Sequence, residues 1–368
     1  MPGHLATLVR KEFLAVWRDR RSRMILIGPP LLMMLLFSFA ATLDVTNVSI
    51  AILNRDAGKW GAELTHRIAA APTFSRVIEL RSEAQVREAI ELRRALVALQ
   101  IGPDFSRAIE AGGSGMALLV VDGRRANAGQ IVAGYLAAIA EDLGGEIRSA
   151  RGAVDPGPLV VRNWFNPNLI YRWFTVPGLV AILTMIIGII VTALSVARER
   201  ELGTFDQLLV SPLRPFTILL GKTIPALAFG MAEGTVLLLF AIWVFRIPFN
   251  GSYVLLYAAM LLFLLATVGV GLFISSLCQT QQQAILGAFV FLAPSVLLSG
   301  FATPVSNMPE WLQILTMANP LRHFFTIAVG IFIKGMPAAA VAAHALPLAV
   351  IAIVTLGAAN WLFRRRLG

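Results

Sequence analysis

The sequence predicts a polytopic α-helical membrane protein with six transmembrane helices and a small extracytoplasmic α/β domain between the first and the second. Three observations predict it. Of the 368 residues, 57% are hydrophobic and only 14% charged, against about 25% charged in an ordinary soluble domain. Six stretches, 24–43, 173–196, 218–245, 253–277, 284–301 and 343–363, are apolar over close to the ~20 residues that a helix needs to cross lipid. Between the first two lies a long segment, 44–172, of soluble composition.

Each element follows in chain order. In the leader 1–23, Leu5, Leu8, Val9, Phe13, Val16 and Trp17 recur at helical spacing, with Arg10, Lys11 and Arg18 elsewhere. This is the pattern of an amphipathic helix lying in the membrane interface. The run 24–43 could end a signal peptide near Ala40, but its length and the long basic leader favour a transmembrane helix. Segment 44–172 alternates strand-like runs (48–53, 76–80, 95–101, 116–121) with helical patterns (62–70, 84–93, 105–110, 130–143), the signature of a small α/β domain. Its glycine run 112–115 is a loop without the following Lys-bearing helix that a phosphate cradle needs. Asp155-Pro156-Gly157-Pro158 closes the domain, and Trp164, Tyr171, Arg172 and Trp173 form an aromatic–basic belt at the next span. Pro29, Pro30, Pro177, Pro225, Pro294 and Pro347 interrupt spans, which neighbouring helices can accommodate.

The net charge of +10 would suit nucleic acid or an anionic membrane, and its distribution decides. The leader carries Arg10, Lys11, Arg18, Arg20, Arg21 and Arg23, the segment 197–222 carries Arg198, Arg200, Arg214 and Lys222, and the tail carries Arg364, Arg365 and Arg366. Six spans put these three on one side, while the short segments opposite hold Arg246, Arg322 and Lys334. Lys and Arg mark the cytoplasmic side. Both termini are therefore expected in the cytoplasm and 44–172 outside, where its 15 basic and 14 acidic residues nearly cancel. The positive rim then faces lipid headgroups, and no nucleic-acid partner is expected. The lone Cys278 excludes an internal disulfide, and the four His are scattered, so no metal site is expected.

Glu233 is the one acidic residue deep inside a span. Such a residue faces a bundle interior or cavity. It either touches substrate or a gate, or it is a structural partner for another span. The outer segment 302–335 contains an apolar run, 321–333, too short to cross, which reads as re-entrant or interfacial, with Trp311 and His323 as headgroup anchors. Gly269, Gly271 and Ser275 are spaced for close helix packing, a weak pointer to a dimer contact.

The loop between the second and third spans reads Arg198-Glu199-Arg200-Glu201-Leu202-Gly203-Thr204-Phe205-Asp206-Gln207-Leu208-Leu209-Val210-Ser211-Pro212. Leu202, Phe205, Leu208 and Leu209 share a helical face and charges occupy the others. The helix would either float on lipid or dock into a partner. This run, followed by Leu220-Gly221-Lys222, resembles the coupling region of type-2 ABC-exporter permeases. A second resemblance lies in Leu298-Ser299-Gly300-Phe301, Pro304, Met308-Pro309-Glu310-Trp311-Leu312 and Asn319-Pro320. The span plan and the large domain after span one are similar to the subgroup that includes multidrug exporter permeases. Leu202 departs from the charge many relatives carry there.

The resemblance implies a permease subunit in a bacterial cytoplasmic (inner) membrane, exporting a hydrophobic or amphipathic, drug-like or lipid-like substrate. Its implied partners are two copies of an ABC ATPase, a second permease (the same chain or a close paralogue) and a periplasmic membrane-fusion protein. The coupling helix 198–212 would enter a cleft of the ATPase, using Arg198, Glu199, Arg200, Glu201, Gly203, Thr204, Phe205, Asp206, Gln207 and Leu208. Pro294, Gly300, Phe301, Pro309 and Trp311, with Glu233, would line the substrate path or gate. The chain itself would bind no cofactor; ATP and Mg would sit on the ATPase. The residues agree: Gly221-Lys222-Thr223 is the one Walker-like echo, but a phosphate loop needs Gly five residues earlier and position 216 is Phe216. A membrane-anchored sensor would explain the outer domain but not a docking helix. A membrane-embedded enzyme would need clustered His, Asp or Glu near the span ends, which the sequence lacks.

Overall fold

The structure, a computed structural model, describes residues 2–18, 20–40, 47–150, 164–168, 170–204 and 215–367. It divides into two compact units: Met1–Ala41 with Asn163–Gly368, and Thr42–Arg162. The chain opens with α1 (Pro2–Arg18) and α2 (Arg20–Ala40). Helix α2 opens on Arg20, Arg21 and Arg23 and is apolar after them, with Pro29 and Pro30 inside it.

The second unit is the expected α/β fold, element for element. It runs β1 (Val48–Asn54), α3 (Lys59–Ala70), β2 (Phe74–Glu79), α4 (Glu83–Glu91), β3 (Val97–Ile101), α5 (Phe105–Glu110), β4 (Ala117–Val121) and α6 (Ala126–Ala150). The sheet order is β2-β1-β3-β4, parallel except for the antiparallel edge strand β4. The central strand β1 is buried along its length apart from the half-buried Ser49 and Asn54, as expected of a strand covered on both faces. Ile50 and Ile52 point one way, into a core with Leu64, Ile68, Leu136 and Leu143; Ala51 and Leu53 point the other way, onto Val86 and Ala89. Period-2 alternation thus assigns α3 and α6 to one face and α4 to the other.

The first unit continues with α7 (Arg172–Glu201). Next come α8 (Pro215–Leu239), closed by a π-helical turn Phe240–Val244, and α9 (Tyr253–Leu277). They are followed by α10 (Gln281–Leu297), α11 (Glu310–Thr316), α12 (Pro320–Val329) with a π-helical turn Gly330–Lys334, and α13 (Ala338–Leu367). Among the described residues four helices are long and apolar enough to cross a membrane: Arg172–Glu201, Phe216–Val244, Tyr253–Leu277 and Ala338–Arg365. Of the stretch expected at 24–43, α2 covers 24–40 and residues 41–43 lie outside the described residues, while the stretch expected at 284–301 forms a shorter apolar helix, Gln281–Leu297. The second is cut short because Gly300, at φ +92°, takes the left-handed conformation just beyond it. Helices α11 and α12 meet at 82°, a bend that suits either a broken span or a re-entrant element.

Helix α7 is apolar all round and buried over most of its length, which makes it the axis of the bundle. The small residues expected at a close contact do make one, and it lies within the chain. A Cβ on Gly269 would overlap Thr355 of α13, and one on Gly271 would overlap Thr192 of α7. Val196, Ile218, Leu272 and Phe363 share one cluster. The end of α7, the start of α8, the end of α9 and the end of α13 therefore lie at the same end of the bundle. Helix α12 is not a headgroup anchor: Leu321, His323, Phe324 and Ile327 are buried, and His323 Nε2 sits 2.9 Å from the Met317 carbonyl oxygen. The hydrophobic core takes the ring because α12 turns inward after the bend, whereas Trp311 on α11 stays exposed.

Candidate functional site

The segment expected to couple to a motor begins as the last turn of α7, not as a separate helix. Gly203 at φ +69° ends it. The Thr204 N–H donates to the Glu199 carbonyl at 2.9 Å and the Gly203 N–H to the Arg200 carbonyl at 3.0 Å. This pair of bonds is a Schellman cap, which glycine in the left-handed conformation closes at little steric cost. The amphipathic helix read over 198–212 is therefore broken at Gly203. Phe205, Asp206, Gln207 and Leu208 lie outside the described residues.

Around this last turn the other helices form a polar collar. Glu199 was expected to face a partner, but it is 7% exposed and turned inward. Its Oε2 is 2.7 Å from Lys222 Nζ of α8 and its Oε1 accepts a 2.8 Å bond from Lys11 Nζ of α1. Lys222 also donates to Glu12 Oε1 at 3.0 Å and to Ser195 Oγ at 3.0 Å. Two lysines and two glutamates thus balance, with the Lys222 side chain 1% exposed. Burial alone would lower the pKa of Lys11, but the hydrogen bond to Glu199 and the charges of Glu199 and Glu12 outweigh it and hold the pKa above its ordinary value. Taking such charges from water costs several kcal/mol per ion unless each is paired.

Three more contacts complete the collar. The Ser275 hydroxyl of α9 accepts from the N–H groups of Val196 (3.1 Å) and Ala197 (3.0 Å), and it donates to the Ala193 carbonyl. A side chain inserted in this way opens a helix ladder locally and marks a place where the helix can bend. Arg200 donates to the carbonyls of Ser276 (2.9 Å) and Cys278 (3.0 Å). Glu201 Oε2 accepts from the Gln281 N–H at 2.9 Å, at the start of α10, where a carboxylate suits the helix dipole. Arg198 and Leu202 remain exposed. Helix α1 is seated on α8 by Leu8, which would clash with any Cβ on Gly221, and by Phe13 stacked on Phe229 at 4.7 Å.

Of the residues expected along the path, Gly300 and Phe301 belong to one aromatic cluster. Phe301 lies 6.2 Å from Phe174 and 6.0 Å from Phe325, and both Phe301 and Phe325 press on Gly178, where a Cβ would meet them at 2.7 and 2.9 Å. Pro294 is exposed on α10, and Pro309 and Trp311 are at the start of α11. Glu233 is on α8, and both its carboxyl oxygens are buried without a hydrogen bond. Sequence reasoning missed Lys11, Glu12, Ser195 and Lys222 as a unit. The available signal was a lysine set in the apolar opening of α8 at the depth of Glu199. Among the described residues no cluster of three or more His, Cys, Asp or Glu could hold a metal ion.

Long apolar helices around a buried axis, joined to a separate α/β unit, define a multi-pass helical membrane protein with its buried ion pairs gathered at one end. The chain belongs to the ABC-2 family of transporter proteins, whose family description, ABC-2 family transporter protein, matches it over residues 20–361. It is 47% identical over 362 residues, 98% of both chains, to the probable multidrug ABC transporter permease YbhR of Escherichia coli strain K12. It is 31% identical over 369 residues, 97% of this chain and 95% of the relative, to the probable multidrug ABC transporter permease YbhS of the same organism. The inner membrane transport permease YhhJ, also from that organism, is 33% identical over 254 residues, 67% of each chain. The family expected from the two motif regions is the family found.

Proposed function

We propose that the chain is the permease subunit of an ATP-driven exporter in a bacterial inner membrane, moving drug-like or lipid-like molecules out of the cytoplasm or inner leaflet. In this reading six spans cross the membrane, both termini are cytoplasmic and the α/β unit is outside. A separate ABC ATPase in two copies holds ATP and Mg, and a second permease, the same chain or a paralogue, completes the pathway. A periplasmic membrane-fusion protein is a further partner. The naming of the 47%-identical relative as a multidrug ABC transporter permease supports the class, and the basic residues at the end of the bundle that carries the collar support the orientation.

The observation that carries the mechanism is the collar. Glu199, Arg200 and Glu201 tie the last turn of α7 to α1, α8, α9 and α10. A push on the last turn of α7 would therefore reach five helices together. Such a rigid-body switch needs contacts that differ between nucleotide states. In this account Arg198 and Asp206 face the ATPase, while Glu199 works inside the permease. The test is co-purification with the ATPase and measurement of ATP turnover. Asp206→Lys is expected to weaken assembly or turnover; full assembly and full turnover would contradict the reading.

A further inference from the structure

Helix α13 is the least buried of the four long spans, and its two faces differ. Val341, Leu348, Ala352, Ala359 and Phe363 are buried, and Thr355 Oγ1 donates to the Ala266 carbonyl of α9 at 3.1 Å. On the opposite side Leu346, Val350, Ile353, Val354 and Trp361 are each more than half exposed. These five, with Gly357, Arg364 and Arg365, fall within about 120° of one another at 3.6 residues per turn. They form one outward stripe. From Leu346 to Arg364 it runs about 27 Å at 1.5 Å per residue, close to the ~30 Å hydrocarbon core of a bilayer. The two arginines therefore reach the headgroup level, beside Phe363, which packs with Val196, Ile218 and Leu272 at the end of the bundle that carries the collar.

The stripe ends in an arrangement built for an anion. Arg365 Cζ lies 5.5 Å from the centroid of the Trp361 ring, and Arg364 and Arg365 are exposed. Helix α13 has no Asp or Glu. The carboxylates of the collar are engaged elsewhere: Glu12 and Glu199 by Lys222, Glu199 also by Lys11, and Glu201 by the Gln281 N–H. Neither guanidinium of the stripe has a carboxylate partner among the described residues. One turn below Trp361, a Cβ on Gly357 would meet nothing within 4 Å, which leaves a notch in the apolar stripe. A second copy of the chain is a poor occupant. Two copies meeting here about an axis along the membrane normal would set Arg364 and Arg365 against the same pair, with no counter-charge between them. The complement is an anion that carries its own hydrocarbon. A phosphate would take the guanidiniums, the indole sits at the interface as tryptophans do, and an acyl chain would follow the stripe.

We propose that the outward face of α13 is a binding site for an anionic phospholipid, with the phosphate on Arg364 and Arg365 and an acyl chain along the stripe over Gly357. The inference goes beyond the exporter reading and does not depend on it, because the full-length permease in a bilayer suffices to test it. The probe is a vesicle of dioleoylphosphatidylcholine with a minority of dioleoylphosphatidylglycerol, in which one lipid or the other carries brominated chains that quench tryptophan. The signal of Trp361 is the difference between each protein and the same protein carrying Trp361→Phe. In wild type, phosphatidylglycerol is expected to quench Trp361 beyond its share of the bilayer. Arg364→Gln with Arg365→Gln is expected to cut that preference by up to about fivefold per arginine. Arg364→Lys with Arg365→Lys keeps both charges and is expected to retain most of it. Quenching in proportion to bulk composition in wild type overturns the proposal, and so does a preference that survives the double Gln variant. No quenching of Trp361 by either lipid would mean that protein, such as a second copy, covers this face, and would overturn it too. If the double Gln variant fails to reconstitute, the double Lys variant decides: a preference kept supports the site and a preference lost overturns it.

Discussion

In the α/β unit, Arg94 pairs with Glu88 at 3.2 Å and Arg107 with Asp104 at 2.6 Å, and all four side chains are more than half exposed. In the helical unit, Lys222 pairs with Glu12 at 3.0 Å and Glu199 at 2.7 Å, and its side chain is 1% exposed. The distances are alike and the consequences are not. Exposed pairs contribute roughly 0–1 kcal/mol because water competes for both ions. Buried pairs add little net stability while intact, yet losing one partner strands the other charge. The soluble unit therefore places most of its pairs where loss is tolerated, with the buried Asp122 held by Arg124 as an exception. The bundle gathers its ion pairs at the end where α1, α7 and α8 meet.

That contrast can be broken at three points. The largest effect is expected for Lys222→Ala, which leaves Glu12 and Glu199 facing each other in the collar. Removing one partner of a buried pair costs about 3–5 kcal/mol, so the thermal midpoint in detergent should fall well below that of wild type; an unchanged midpoint would break the comparison. A smaller, pH-dependent effect is expected in the α/β unit. Burial raises the pKa of Asp56, but bonds from the Ser106 hydroxyl and N–H and from the Gly61 and Gly58 N–H groups outweigh it and hold the pKa below the usual carboxylate range. Its contribution is therefore complete above the unfolded value of about 3.9 and is lost as pH falls through the depressed folded value. Amide exchange on the full chain should show α3 and α5 loosening below about pH 4. Asp56→Asn should flatten part of that dependence. The rest belongs to Asp122 and Glu146, whose pKa values Arg124 and Arg67 also depress. The smallest effect is Arg94→Ala, expected within about 0.5 kcal/mol of wild type; a larger loss would mean that exposed pairs matter here.

The sequence made some of this legible for definite reasons. The α/β unit was readable because period-2 runs such as Val48–Asn54 alternate with 3.6-period runs such as Lys59–Ala70. The long helices were readable from hydropathy, although α10 is shorter than its apolar run suggested. Two features resisted. The helical face shared by Leu202, Phe205 and Leu208 hid the break at Gly203, because periodicity continues through a residue that has turned left-handed. The collar joins residues 188 and 210 positions apart, Lys11 to Glu199 and Glu12 to Lys222. Spacing reveals neighbours on one helix, whereas these partners meet only once three helices have packed. Both lysines had served in the sequence as markers of membrane side, which left their pairing unread.

The claim at the centre is that the collar works as one unit in handing motion from the ATPase to the bundle. A double-mutant cycle on Glu199→Gln and Lys222→Met, read as ATP turnover of the permease–ATPase complex, tests it most directly. Each single change should cost turnover by leaving the four-charge collar one charge out of balance. The double variant, with both charges gone, should recover at least to the level of the better single. Losses that simply add would contradict the account, because they would mean that the two residues act separately.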